Sequence, residues 1–106
     1  MSRQIELHAD LDVDPAREAA MVEYFESVYR PAAATFPGYV ALNLLRLEAI
    51  PVGTTPMGLS YRFSIRYESE AQRQAWVASD VHTEVWGALE KFLASHDYTF
   101  LLFDVY

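Results

Sequence analysis

The chain has 106 residues, a length that suits one domain with a single core. Its formal net charge is -7, with seven Arg and one Lys as its cations, so its field repels phosphate backbones and anionic lipid surfaces. It has no Cys, which excludes disulfides, thiol nucleophiles and thiolate metal sites, and no apolar run approaches the ~20 residues of a membrane span. The N-terminal residues MSRQIELHAD carry no basic-then-apolar leader pattern, so a cytoplasmic protein that binds neither nucleic acid nor membrane is expected.

From Gln4 to Val13 apolar and polar residues alternate: Ile5, Leu7, Ala9, Leu11 and Val13 on one face, Glu6, His8, Asp10 and Asp12 on the other. Period two predicts a strand with one buried face. Asp14-Pro15 opens a helix, because Asp can cap free N–H groups and Pro suits the first helical position. Met21, Val22, Phe25, Val28, Tyr29 and Ala32 form its expected apolar stripe, with a kink or late boundary near Arg30 imposed by Pro31. Phe36-Pro37-Gly38 reads as a turn.

Tyr39 to Ala49 is a nearly continuous apolar strand, interrupted by Asn43 and Arg46. Ile50 to Gly58 reads as a long hairpin loop. Leu59 to Tyr67 alternates again, with Tyr61, Phe63, Ile65 and Tyr67 opposite Ser60, Arg62, Ser64 and Arg66. Ser69 and Gln72 fit a capping box at the start of a second helical region. Its expected core stripe is Ala75, Ala78, Val81, Val85, Leu89 and Phe92, and Ser79-Asp80 is a second cap that would divide it in two. Tyr98 to Tyr106 is the last strand.

The order βαββαβ predicts an α+β, ferredoxin-like sandwich: a four-stranded antiparallel sheet with two helical regions on one face. The first and last strands should lie side by side, with the third on the other flank of the first. The apolar second and last strands leave more on the bare face than water tolerates, so a homodimer is expected in which two sheets face each other.

This order, together with Phe36-Pro37-Gly38-Tyr39, resembles the dimeric α+β barrel superfamily. The run Tyr67-Glu68-Ser69, followed by Ala75-Trp76-Val77-Ala78-Ser79-Asp80-Val81-His82, resembles the strand-to-helix block of antibiotic biosynthesis monooxygenase-like domains. The resemblance spans nearly the whole chain. It implies a dimeric barrel and a cofactor-independent monooxygenase acting on a small aromatic or quinol-like compound. Haem-degrading members of the superfamily resemble a Trp, Asn and His trio; here Tyr67 stands at the Trp position, the first strand has no Asn, and His82 alone matches.

His82 is the first candidate catalytic group, since a neutral imidazole can take a phenolic or quinol proton. Its structural alternative is to line a helix break. Trp86, one turn later, could form a wall for a flat substrate. Arg62 and Arg66 could stabilise an enolate or phenolate, or could pair across strands with Glu6 and Asp10. Asn43 could orient a substrate carbonyl, or satisfy a backbone group at a bulge. Tyr67, Trp76 and His8 complete the candidate substrate contacts. A metal held by Glu6, His8 and Asp10 is disfavoured by the nearby Arg residues, so neither metal nor cofactor is expected. The substrate would lie between sheet and helices. The alternatives are a non-catalytic dimeric ligand-binding or stress-related protein of the same fold, or a lactone-type isomerase.

Overall fold

The computed structural model describes residues 3–55 and 58–106. Strand β1 (Ile5–Leu11) is followed by a 3-10 turn at Pro15–Arg17, helix α1 (Glu18–Tyr24), a π-helical turn at Phe25–Tyr29 and helix α2 (Arg30–Ala34). Strands β2 (Tyr39–Arg46) and β3 (Tyr61–Tyr67) precede helices α3 (Glu70–Val77) and α4 (Asp80–Leu89), a 3-10 turn at Glu90–Phe92 and strand β4 (Thr99–Asp104). The expected loop over 50–58 falls between β2 and β3; Pro56 and Met57 within it lie outside the described residues. The sheet order is β2-β3-β1-β4, with every pair antiparallel, which is the expected ferredoxin-like arrangement.

The caps form where the sequence places them. The Asp14 side chain accepts from the Ala16 N–H, and the Ser69 and Ser79 hydroxyls accept from the Gln72 and His82 N–H groups. Ser79 therefore starts a new helix, and the second helical region is two helices. Pro31 does not end the first region. The wider π turn immediately before it accommodates the missing N–H, and helical structure continues to Ala34. At Gly38, φ is +88° and an added Cβ would lie 2.5 Å from Gln72 side-chain atoms, so the turn into β2 requires glycine.

Two expected stripes need correction. The buried face of the first helical region is Met21, Phe25, Tyr29 and Ala33, an i,i+4 row, while Val22 and Val28 are exposed. In the second region Trp76, Val85 and Leu89 are buried, and Ala75, Ala78 and Val81 are exposed. The bend at Ser79 re-phases the helix, so one periodicity cannot be read through both halves.

These stripes cover the apolar rows of β1 (Ile5, Ala9, Leu11) and β3 (Tyr61, Phe63, Ile65, Tyr67). Phe63 sits at the centre, with edge contacts to Tyr29 at 5.3 Å, Trp86 at 5.9 Å and Phe25 at 6.0 Å. The last helical turn is tied to the strand layer through Asp14 N–H to Phe92 O and Ala94 N–H to Asp12 O.

The bare face is less apolar than expected. Its centre is polar, and its exposed apolar side chains are Leu45 on β2 and Leu101 and Phe103 on β4. All of β4 is exposed, because the helices stop short of it, and Phe100 and Leu102 on its other face are exposed too. Among the described residues, no helix is long and apolar enough to cross a membrane.

Phe63→Ala should lower the unfolding free energy by about 3–5 kcal/mol, the usual cost of emptying an aromatic core position, read as a drop in the urea midpoint at unchanged slope.

Candidate active site

Between the sheet and the helices lies a cavity of about 110 Å³, lined by Leu7, Ala9, Phe63 and Ile65 from the sheet, Tyr29, Trp76 and Trp86 from the helices, and Phe100, Val77, Arg73 and His82 toward the rim. The capped α3–α4 bend puts His82 and Trp86 on the face of α4 that looks into this space. Their rings are parallel to within 3°, with centroids 6.4 Å apart, and the Trp76 ring stands edge-on to His82 at 5.3 Å. The Trp86 indole N–H donates to the Tyr98 hydroxyl at 3.4 Å, and Tyr98 donates to Glu90 Oε2 at 2.6 Å.

Two groups bring polarity to this apolar wall. Burial lowers the His82 pKa from the ordinary histidine value, and the Arg73 charge lowers it further, against a raising hydrogen bond to the Val77 carbonyl. The imidazole is thus neutral at pH 7 and able to accept a proton. Arg73 pairs with Glu70 through Nε at 2.8 Å and Nη2 at 2.5 Å, and its Nη1 has no acceptor among the described residues. Tyr29 stays protonated, because burial raises its pKa, and it accepts a hydrogen bond from Trp76.

The structure divides the expected constellation. His82, Trp76 and Trp86 meet in the cavity. Arg62, Arg66, Asn43 and His8 lie on the opposite face of the sheet, so within one chain they cannot touch a substrate held by His82. There Arg62 Nε donates to Asp10 at 2.7 Å and Arg66 Nε to Glu6 at 3.1 Å. His8 Nε2 lies 2.7 Å from Glu6 Oε2, a contact that lowers the Glu6 pKa ahead of Arg66. The cross-strand pairing alternative for the two arginines is therefore the observed one. Asn43 lies opposite Ser64 in the register and is exposed. Tyr67 lies on the helix side but is fully buried in the core, away from the cavity wall; its hydroxyl has no hydrogen-bond partner among the described residues, and burial raises its pKa.

Arg73 was not singled out by sequence. The signal that could have found it is its place three residues before Trp76, on the same face of α3. A larger hollow of about 570 Å³ runs under the β2–β3 loop; its cations, Arg46 and Arg62, are paired with Glu18 and Asp10, and Glu48 is the carboxylate in its lining.

No family model matches the chain, and no curated protein matches it in sequence. Solved structures do match in fold. A provisionally assigned antibiotic biosynthesis monooxygenase from Caulobacter crescentus CB15 superposes with a TM-score of 0.76 at 21% identity, covering 99% of this chain and 92% of that one. A dimeric ferredoxin-like protein of unknown function from Jannaschia sp. CCS1 gives a TM-score of 0.78 at 12% identity, over 96% and 99% of the two chains. SnoaB, a cofactor-independent oxygenase from Streptomyces nogalater, in a mutant form, gives 0.69 at 20% identity, over 98% and 94%. The chain thus shares the ferredoxin-like fold of these proteins.

The His82 titration midpoint, followed by NMR of the ring protons, should lie below 6.5 and rise in Arg73→Gln. Because the folded pKa is depressed, the unfolded chain takes up a proton that the folded chain refuses as pH falls through the ordinary histidine value, and stability drops. His82→Gln should flatten that part of the stability–pH curve.

Proposed function

We propose that the protein is a homodimeric, cofactor-independent monooxygenase of a small aromatic or quinol-like compound, with the cavity as its active site. The observation that supports this best is the neutral His82 imidazole set in an aromatic wall beside a cation, Arg73. In this reading His82 removes a proton from the ring hydroxyl or the activated ring carbon. Arg73, rather than Arg62 or Arg66, faces the negative charge that develops. Trp86 and Trp76 pack on the ring. The resulting carbanion gives electrons directly to dioxygen. One oxygen atom becomes the new carbonyl, and the other leaves as water with two hydrogens, one from the oxidised ring carbon and one from the ring hydroxyl, so that a phenol ends as a quinone. The fold shared with a cofactor-independent oxygenase agrees with this chemistry. Loss of the base should slow oxygen uptake about a hundredfold or more. The test is oxygen uptake by metal-free protein against catechols and naphthoquinols, wild type beside His82→Ala. Uptake above the spontaneous rate that survives unchanged in the variant would remove His82 from the mechanism.

The dimer in this proposal packs sheet on sheet. Leu45, Leu101 and Phe103 are 51%, 41% and 45% exposed, and the charges between them are already paired within their own sheet. That face can meet a second copy of itself without leaving an orphan ion. Light scattering should give a dimer at micromolar concentration and a monomer for Leu101→Asp combined with Phe103→Asp.

A non-catalytic ligand-binding role is favoured by one observation, the fully paired state of Arg62 and Arg66. Oxygen uptake separates it from the oxygenase reading.

A further inference from the structure

The cavity's size and its cation together restrict what it holds. A volume of about 110 Å³ is that of a single ring; closed apolar cavities of about 150 Å³ take benzene. A fused polycyclic ring system would have to displace Phe63, Tyr29 or Trp76, which are 2%, 1% and 2% exposed and locked by edge contacts. The rim is softer, since Phe100 and Val77 are 49% and 39% exposed.

Arg73 stands at the same rim. Its side chain is 17% exposed, and the side-on pair with Glu70 holds the guanidinium plane in place. That pair uses Nε and Nη2 and leaves Nη1 without an acceptor among the described residues. A guanidinium held along one edge offers its other end in a fixed direction, the geometry with which Arg recognises carboxylates. Among the described residues that line the cavity there is no acidic side chain to compete.

We infer that the site selects monocyclic aromatic acids: one ring in the cavity, with a carboxylate on the free edge of Arg73 and a ring hydroxyl directed to His82. This rests on the cavity being the active site, and it adds the substrate class. Polycyclic quinols fall outside that class, and neutral phenols bind only weakly.

Binding tests this without catalysis. The chain's two tryptophans, Trp76 and Trp86, both line the cavity, so intrinsic fluorescence reports its occupation. Meta-hydroxybenzoate, whose carboxylate and hydroxyl lie toward one side of the ring, should quench it saturably, with phenol and an anthracene carboxylate each binding about tenfold more weakly or worse, the cost of one charge-assisted hydrogen bond or of forced repacking. Arg73→Gln should weaken meta-hydroxybenzoate about tenfold and leave phenol unchanged. Glu70→Gln should tighten the acid, because the amide oxygen still accepts a hydrogen bond from Arg73 while the negative charge that offsets the guanidinium is gone; this variant keeps the test decisive if Arg73→Gln fails to fold. Equal affinity for phenol and the acid, weaker acid binding in Glu70→Gln, or preferred binding of the tricyclic acid would each overturn the inference. If the acid binds as described but consumes no oxygen, the selectivity stands and the oxygenase reading falls. If oxygen is consumed with neutral quinols alone, the oxygenase reading stands and the selectivity falls.

Discussion

The packing of one aromatic stripe against one sheet face holds the rest of the structure in place. Met21, Phe25, Tyr29 and Ala33 lie over the apolar rows of β1 and β3, and Phe63 is the point on which Phe25, Tyr29 and Trp86 converge. Edge-to-face contacts fix ring orientation as well as distance. The cavity exists because these large, flat side chains meet at right angles and leave a ring-sized space.

The two faces of the sheet serve different physical ends. On the helix side, burial keeps titratable groups neutral: the His82 pKa falls, and those of Tyr29 and Tyr67 rise. On the bare side, Glu6, Asp10, Arg62 and Arg66 neutralise one another across β1 and β3, with His8 hydrogen-bonded to Glu6 and apolar residues flanking them. A neutral base needs the first environment. A self-complementary surface is served by the second, since paired ions cost less to enclose than lone ones.

Trp86 connects the cavity to the outer strand. Its indole N–H reaches Tyr98, which is itself held by Glu90, and its ring touches Phe100. The wall facing His82 is thus supported from the loop before β4. The exposed β4 edge and the cavity are mechanically close, and whatever covers that edge borders the rim at Phe100.

By itself the sequence determined the element order, the strand pairing pattern and the caps, because alternation, Ser and Asp caps, and turn glycines act over a few residues. It also paired the right residues on the bare face, where Glu6, Asp10, Arg62 and Arg66 share one side of two adjacent strands. Tertiary structure alone decided which candidates share a site. His82 and Arg62 both read as active-site residues in one dimension, yet the sheet lies between them. Nothing in the sequence pattern singles out Arg73, yet His82 and Arg73 line the same space across the bend at Ser79. The register of β1 and β3 and the angle of that bend depend on how large aromatic rings pack across the core. That is a many-body packing outcome, and no local pattern encodes it.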